Sequence, residues 1–164
     1  MKTKINLLSF LLLIVFSVSM FISCSDDGTG DTTSPAINLI APTEGAVLKI
    51  GSDVHFDLEL SDNEMLASYK VEIHNNFDGH QHNRSMSVHG SAVKENGTEP
   101  FFFQKVWDVS GQKNTKIHHH EIIISENATP GAYHLMIYCT DAAGNESYVA
   151  RNIMLSHDGE VHEH

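Results

Sequence analysis

The sequence predicts an all-β fold: an antiparallel β-sandwich of about seven strands that begins near Ser34. Three observations predict it. Beyond Ser34, apolar and polar residues alternate with a period of two, which is typical of strands with one buried face. Turn-forming residues separate these runs, as in residues 42–45 (Pro-Thr-Glu-Gly) and 141–145 (Asp-Ala-Ala-Gly-Asn). No stretch beyond Ser34 has the apolar spacing of a helix, so the strands are expected to pack against one another.

The alternation also places the individual strands. In residues 54–60 every second side chain is Val, Phe or Leu, and the residues between them are His, Asp and Glu. Residues 101–107 form a short aromatic run, in which Trp107 should be at least partly buried because large aromatics dominate such cores. Residues 75–99 are polar, contain several glycines and are predicted to be irregular. The seven predicted strands are 37–39, 54–60, 69–74, 101–107, 117–124, 132–140 and 148–155.

The N-terminal segment has the three-part layout of a secretory signal. Two lysines form a short positive region, residues 5–21 are almost wholly apolar, and small residues lead into Cys24. Residues 21–24 (Phe-Ile-Ser-Cys) resemble a bacterial lipobox, in which the cysteine is acylated and the chain is cut before it. We therefore expect residues 1–23 to be a lipoprotein signal peptide and Cys24 to carry fatty acyl chains such as palmitate. The alternative is an uncleaved membrane anchor, although the apolar run is at the short limit of a spanning helix, about 20 residues.

The residues after Cys24 indicate where the protein is sent. Residues 25–28 (Ser-Asp-Asp-Gly) resemble the acidic tag of Bacteroidota lipoproteins that reach the outer face of the outer membrane. We expect a cell-envelope, outer-membrane lipoprotein exposed at the cell surface, although a plain acidic linker would have the same composition. The predicted organisation is a lipidated cysteine and flexible acidic linker at 24–33, one sandwich domain at 34–156, and a disordered His-rich, acidic tail at 157–164.

The charge and cysteine content exclude several classes of function. The whole chain has 10 basic and 21 acidic residues, a net charge of −11. Without the two lysines of the signal, eight basic residues remain against 21 acids, which gives −13. A chain this anionic, with no basic cluster, is not expected to bind nucleic acid or anionic lipid head groups, and its expected membrane contact is the lipid anchor at Cys24. Acylation of Cys24 leaves Cys139 alone, so no intramolecular disulfide is expected.

Two segments resemble bacterial immunoglobulin-like domains of the fibronectin-III-like kind. Residues 131–135 (Gly-Ala-Tyr-His-Leu) look like the start of a strand with a corner tyrosine, and residues 141–145 look like the hairpin that follows it. Residues 34–156 as a whole resemble a Bacteroidota lipoprotein family catalogued as domain of unknown function 4625. The shared motifs are Ser-Asp-Asn at 61–63, Asn-Asn-Phe-Asp-Gly-His-x-His at 75–82 and Gly-x-Tyr-His at 131–134. The resemblance implies a fold and a compartment, but no activity.

Histidine content points to metal binding. There are 12 histidines, more than the lysines and arginines together, and imidazole is the commonest transition-metal ligand in proteins. His80 and His82 lie two residues apart, so an extended backbone would present both on one face. If residues 68–74 and 132–140 pair antiparallel, His74 and His134 become neighbours at the same end of the sandwich. We therefore predict one zinc or copper site from the following residues: His74, His80, His82 and His134, with Asp78 as a direct or indirect ligand.

A second histidine group is the run 118–120. If residues 117–124 are extended, His118 and His120 point the same way as Ile122 and Ile124, whereas His119 points the same way as Ile117 and Ile123. Both faces thus carry apolar residues, so the apolar pattern does not say which histidines face outward. A β-bulge or a shifted strand start would change the answer. His118 or His120 is expected to add a ligand to the first site or to belong to a separate one.

Acidic residues gather at the opposite end of the predicted sandwich. Asp62 and Asp141 fall in two turns there, and oxygen ligands from two loops suit calcium. Asp and Asn also stabilise turns by bonding their own backbone, and we prefer that interpretation to a calcium site.

Enzyme signatures are absent from the sequence. There is no Gly-x-Ser-x-Gly elbow, no His-Glu-x-x-His helix and no phosphate-binding glycine loop, so we do not expect an enzyme. The predicted function is metal capture, or hand-over to a partner such as an envelope transporter or a surface protein. The alternatives are an interaction module for a protein or glycan, and haem binding by a histidine pair.

Overall fold

The computed structural model describes residues 30–78 and 97–159. These residues form eight strands and no helix. The strands are β1 (Ala36–Ala41), β2 (Val47–Lys49), β3 (Phe56–Ser61), β4 (Leu66–Asn75), β5 (Phe103–Asp108), β6 (Asn114–His119), β7 (Gly131–Asp141) and β8 (Glu146–Ser156). The predicted all-β class is confirmed. In the part of the chain that is described, no helix has the length and hydropathy that crossing a membrane requires.

The strands form two sheets that pack as a sandwich. One sheet has three strands in the order β1-β3-β6, and the other has five in the order β2-β8-β7-β4-β5. All of these pairs are antiparallel except β2 with β8. The strand that the sequence did not predict is β2, which is only three residues long and therefore too short to show an alternating pattern.

The core lies between the sheets and is built by the predicted alternation. In β3, Phe56, Leu58 and Leu60 are buried while the residues between them are only partly covered. In β7, Leu135 and Ile137 are buried opposite them, and Trp107 of β5 packs at the margin of the core, partly buried as expected. Full burial of each large apolar side chain contributes about 1.5–3 kcal/mol, so this alternation holds the two sheets together.

Chain direction defines the two ends of the sandwich. At one end β3 and β7 begin while β4 and β6 end, which brings His55 and His120 to the same end as His74 and His134. We call this the histidine end. At the other end β3 and β7 finish and β1 begins, so Asp62 and Asp141 lie there together with the residues before β1. We call this the aspartate end.

The strand predicted at 117–124 is displaced in the structure. It runs from Asn114 to His119, and beyond it Ile123 forms an isolated bridge with Asp53. Ile122 is fully buried, whereas Ile123 is 56% exposed. His119 contacts the core aromatics on the same inward side as Ile122, although the two lie three positions apart, an odd number. The alternation therefore changes phase between His119 and Ile122, as the end of a regular strand allows.

Candidate metal centre

Three histidines form a cluster on the outer face of the three-stranded sheet. His55 directly precedes β3, His118 lies in β6, and His120 directly follows it. The β3–β6 register pairs Asp57 with His118, and Phe56, which faces the core, with His119. Because side chains alternate along a strand, His55 and Asp57 share the outer face with His118 and His120. We call His55, His118 and His120 the three-histidine cluster.

The rings of this cluster are in direct contact. The ring centroid of His55 lies 5.1 Å from that of His118 and 5.2 Å from that of His120. The centroids of His118 and His120 are 5.4 Å apart. One ring nitrogen from each residue lies within 4.8 Å of the other two. The cluster therefore brings three nitrogen ligands close enough together to share one ion.

Two aspartates hold the rings in place. Asp57 lies 2.7 Å from Nε2 of His55 through one carboxylate oxygen and 2.6 Å from Nδ1 of His118 through the other. Asp53 lies 2.5 Å from Nδ1 of His120. The hydrogen bonds from His118 and His55 keep the pKa of the Asp57 carboxyl below its ordinary value. Metal-bound histidines commonly donate one ring nitrogen to a carboxylate in this way and coordinate through the other.

The cluster can be reached from solvent. The side chain of His118 is 62% exposed, whereas those of His55 and His120 are 25% and 23% exposed. Two half-buried ligands and one exposed ligand make a site that is shaped by the sheet but open on one side.

His119 belongs to the core and not to this cluster. Its ring stacks on Phe56 at 4.8 Å and on Trp107 at 5.1 Å, and its Nε2 lies 3.4 Å from the Tyr69 hydroxyl. Burial lowers the pKa of His119, so the ring stays neutral between these aromatics. The sequence left open which of residues 118–120 face outward, and the answer is His118 and His120.

The predicted pairing of His74 with His134 is confirmed. They are directly opposed in the β4–β7 pair, with ring centroids 5.5 Å apart. His134 is only 4% exposed, and Nδ1 of His74 lies 3.0 Å from a Glu72 carboxylate oxygen. Asp78 lies in the turn that follows β4. His80 and His82 lie outside the described residues, so the site of these four histidines stays a prediction.

The two histidine groups lie on different sheets. The pair His74–His134 is on the outer face of the five-stranded sheet, and the three-histidine cluster is on the outer face of the three-stranded sheet. Packed sheets are about 10 Å apart, with the apolar core between them, so one ion cannot bind both groups. Of the two arrangements that the sequence left open, the structure shows His118 and His120 in a separate cluster.

Sequence reasoning missed His55, Asp53 and Asp57. A signal was present, because His55-x-Asp57 lies on the polar face of the clearest predicted strand. That pattern indicates a site only when the β3–β6 register is known, because the register places Asp57 opposite His118, 61 residues later in the chain.

At the aspartate end, Asp62 and Asp141 come together as their two turns predict. A third carboxylate, from Asp31, joins them, and one oxygen from each residue lies within 4.8 Å of the other two. The sequence had placed Asp31 in the linker and gave no sign of its role.

Comparison with known proteins identifies the family. No curated protein matches the sequence. The family described as a domain of unknown function, DUF4625, matches residues 22–156, which is most of the chain. The resemblance drawn from the Ser-Asp-Asn, Asn-Asn-Phe-Asp-Gly-His-x-His and Gly-x-Tyr-His motifs is thereby confirmed at the level of the family. This chain belongs to the DUF4625 family.

Proposed function

We propose that this protein is a cell-envelope lipoprotein whose β-sandwich binds a transition metal, zinc or copper, at the three-histidine cluster. The observation that carries the proposal is the convergence of His55, His118 and His120, each braced by an aspartate. Ligating histidines in metal sites commonly donate their second nitrogen to a carboxylate, which fixes the ring and raises its basicity.

The spacing of the ligands fits a first-row metal ion. With the nitrogens at the upper limit of their 4.8 Å spread, each would lie about 2.8 Å from a common centre. Sub-ångström side-chain movements would then reach the zinc–nitrogen distance of about 2.0–2.1 Å. Three imidazoles leave one position of a tetrahedral shell for water or for a ligand from another molecule.

Accessibility supports capture and hand-over more than permanent structural binding. Structural zinc sites are closed by four protein ligands, whereas this cluster offers three and exposes one of them, His118. The anionic surface of the chain, with its net charge of −11, would attract cations toward the site. A partner that approaches the open side, such as an envelope transporter, could take the metal by ligand exchange.

The test is isothermal titration of zinc and copper into the full chain, purified in detergent without an affinity tag and without nickel. We expect one tight site in the wild type and a loss of about 100-fold or more in affinity in His118→Ala/His120→Ala, which removes two of three ligands. Metal at a hundredfold excess over its dissociation constant should also add about 2.7 kcal/mol to the free energy of unfolding.

Two matched controls locate the site. The triple variant His157→Ala/His162→Ala/His164→Ala removes tail histidines and should bind as the wild type does. The double variant His80→Ala/His82→Ala tests the alternative site beside the His74–His134 pair. If only this second variant lost tight binding, the assignment to the three-histidine cluster would be wrong. Absence of tight binding in the wild type would favour the interaction-module alternative.

A further inference from the structure

We propose that Asp31, Asp62 and Asp141 form a calcium site at the aspartate end of the sandwich, distinct from the histidine centre. The three carboxylates come from distant parts of the chain. Asp31 precedes β1, Asp62 directly follows β3, and Asp141 is the last residue of β7. One carboxylate oxygen of each residue lies within 4.8 Å of the other two.

The backbone brings these residues together independently of any ion. The amide of Ala142 donates to the carbonyl of Met65 at 2.9 Å, which ties the β7–β8 turn to the link between β3 and β4. The side-chain amide of Asn145 donates to the carbonyl of Asp31 at 3.0 Å and to Oδ2 of Asp141 at 2.7 Å. The chain just before β1 is therefore held against both turns.

Turn stabilisation accounts for only one of the two carboxylate oxygens of Asp62. Its Oδ1 accepts the amides of Glu64 and Met65, at 3.0 and 2.8 Å, which is the role that the sequence predicted. Its Oδ2 is shielded from solvent and has no hydrogen-bond donor among the described residues. Asp62 as a whole is only 8% exposed, so water cannot readily replace the missing partner.

Asp31 shows the same difference between its two carboxylate oxygens. Its Oδ1 accepts the backbone amide of Thr33 and the side-chain amide of Asn63, both at 2.9 Å. Its Oδ2 is also shielded from solvent and lacks a donor within the described part of the chain. Two neighbouring carboxylates thus each keep one buried oxygen unused, and a buried oxygen without a partner is costly.

The charge of the cluster is also uncompensated. Asp141 is 2% exposed, and within the described ranges none of the three aspartates forms an ion pair with Lys, Arg or His. Three carboxylates this close repel one another, and the repulsion is strong where water is excluded. A bound divalent cation would remove that repulsion and supply the partner that both unused oxygens lack.

The donor set selects calcium over the metals expected at the histidine end. Every candidate ligand is an oxygen, which suits hard cations, and no imidazole or thiolate is part of the cluster. Calcium accepts six to eight oxygens at about 2.3–2.6 Å in irregular geometry, so three carboxylates can be supplemented by amide oxygens, carbonyls and water. Magnesium requires a near-ideal octahedron and dehydrates reluctantly, so it should bind less well here.

A cation at this position would act on the segment by which the chain enters the domain. Asp31 lies outside the strands, and its ligation would fix that segment to the β3–β4 and β7–β8 turns. If Cys24 is acylated, a point that rests on the proposed lipoprotein function, the seven residue-to-residue steps from Cys24 to Asp31 span at most about 25 Å. A bound calcium ion would then keep the aspartate end within about this distance of the membrane.

The experiment compares calcium with magnesium on the full chain in detergent, by isothermal titration and by thermal unfolding. We expect a calcium site in the micromolar to millimolar range that raises the unfolding temperature, with magnesium at least tenfold weaker. In Asp62→Asn, the retained Oδ1 can still cap the turn, so the variant should fold, lose at least tenfold in calcium affinity and lose the temperature shift. Absence of a calcium effect in the wild type, or its persistence in Asp62→Asn, would overturn the proposal.

Three further variants make the result specific. Asp108→Asn is a matched control, because Asp108 caps the amide of Ser110 in an exposed turn without belonging to the cluster, and calcium binding should be unchanged. Asp31→Asn serves if Asp62→Asn does not fold, and should weaken calcium binding at least tenfold. His118→Ala/His120→Ala should leave the calcium response intact, which separates this site from the histidine centre. Equal losses in Asp108→Asn and Asp62→Asn would contradict the site.

Discussion

At the scale of single residues, Tyr133 shows how one polar atom joins separate segments in the core. Its hydroxyl donates to the carbonyl of Thr129 at 2.8 Å and accepts the amide of Phe101 at 3.1 Å. The ring is fully buried and contacts Phe77 edge to face. The predicted corner tyrosine thus bonds the backbone four residues upstream and also fixes the segment before β5.

Replacing Tyr133 by Phe should destabilise the domain without changing its fold. The substitution keeps the ring but leaves a buried amide and a buried carbonyl without partners, a cost of about 1–3 kcal/mol. Urea unfolding followed by circular dichroism measures the change. Tyr148→Phe is the control, because Tyr148 is 50% exposed. The loss of its hydroxyl should change the free energy of unfolding by no more than about 0.5 kcal/mol. Equal effects of the two substitutions would contradict this role for the Tyr133 hydroxyl.

At the scale of elements, the end of β6 decides which histidines reach the metal centre. Regular pairing with β3 stops at His119, and the following residues return to the core at Ile122 rather than at Glu121. That change of phase leaves His118 and His120 on the outer face while Ile122 and Ile124 fill the interior. An uninterrupted strand would have pointed His118 and His120 toward the side that these isoleucines occupy.

This phase change predicts a large loss of stability at one isoleucine and a small loss at the adjacent one when each is replaced by alanine. Ile122→Ala opens a cavity at a fully buried position and should lower the free energy of unfolding by about 2–5 kcal/mol. Ile123→Ala removes a side chain that is 56% exposed and should cost no more than about 0.5 kcal/mol. Chemical denaturation of both variants, with metal removed by chelation, provides the comparison. A larger effect at Ile123 would mean that the strand continues in register through this segment.

At the scale of the whole molecule, the sequence is informative wherever structure follows from local periodicity. Alternation in residues 54–60 and 132–140 predicts strands β3 and β7, and antiparallel pairing of β4 with β7 predicts the contact between His74 and His134. The three-histidine cluster depends instead on a register between β3 and β6, which no local pattern encodes. Asp31 was missed for a similar reason, because a polar linker composition does not show that one of its residues packs against two distant turns.

The two proposed sites lie at opposite ends of the sandwich. The histidine centre opens to solvent at one end, and the three aspartates lie at the other, beside the segment that leads back to Cys24. If Cys24 is the anchor, the short segment from Cys24 to Asp31 keeps the aspartate end within about 25 Å of the membrane.

The substitution Cys24→Ser tests the proposed anchor. Without the thiol, no acyl chains can be attached, and each buried methylene of such a chain contributes about 0.8 kcal/mol to membrane binding. We expect the variant to appear as a soluble protein or as an unprocessed precursor, whereas the wild type should fractionate with membranes and begin at an acylated Cys24. Fractionation combined with mass spectrometry of the N-terminus distinguishes these outcomes. Cys139→Ser is the control, because Cys139 is buried in β7 and its loss should leave fractionation unchanged. Unchanged membrane retention of Cys24→Ser, with cleavage at another position, would show that the anchor lies elsewhere.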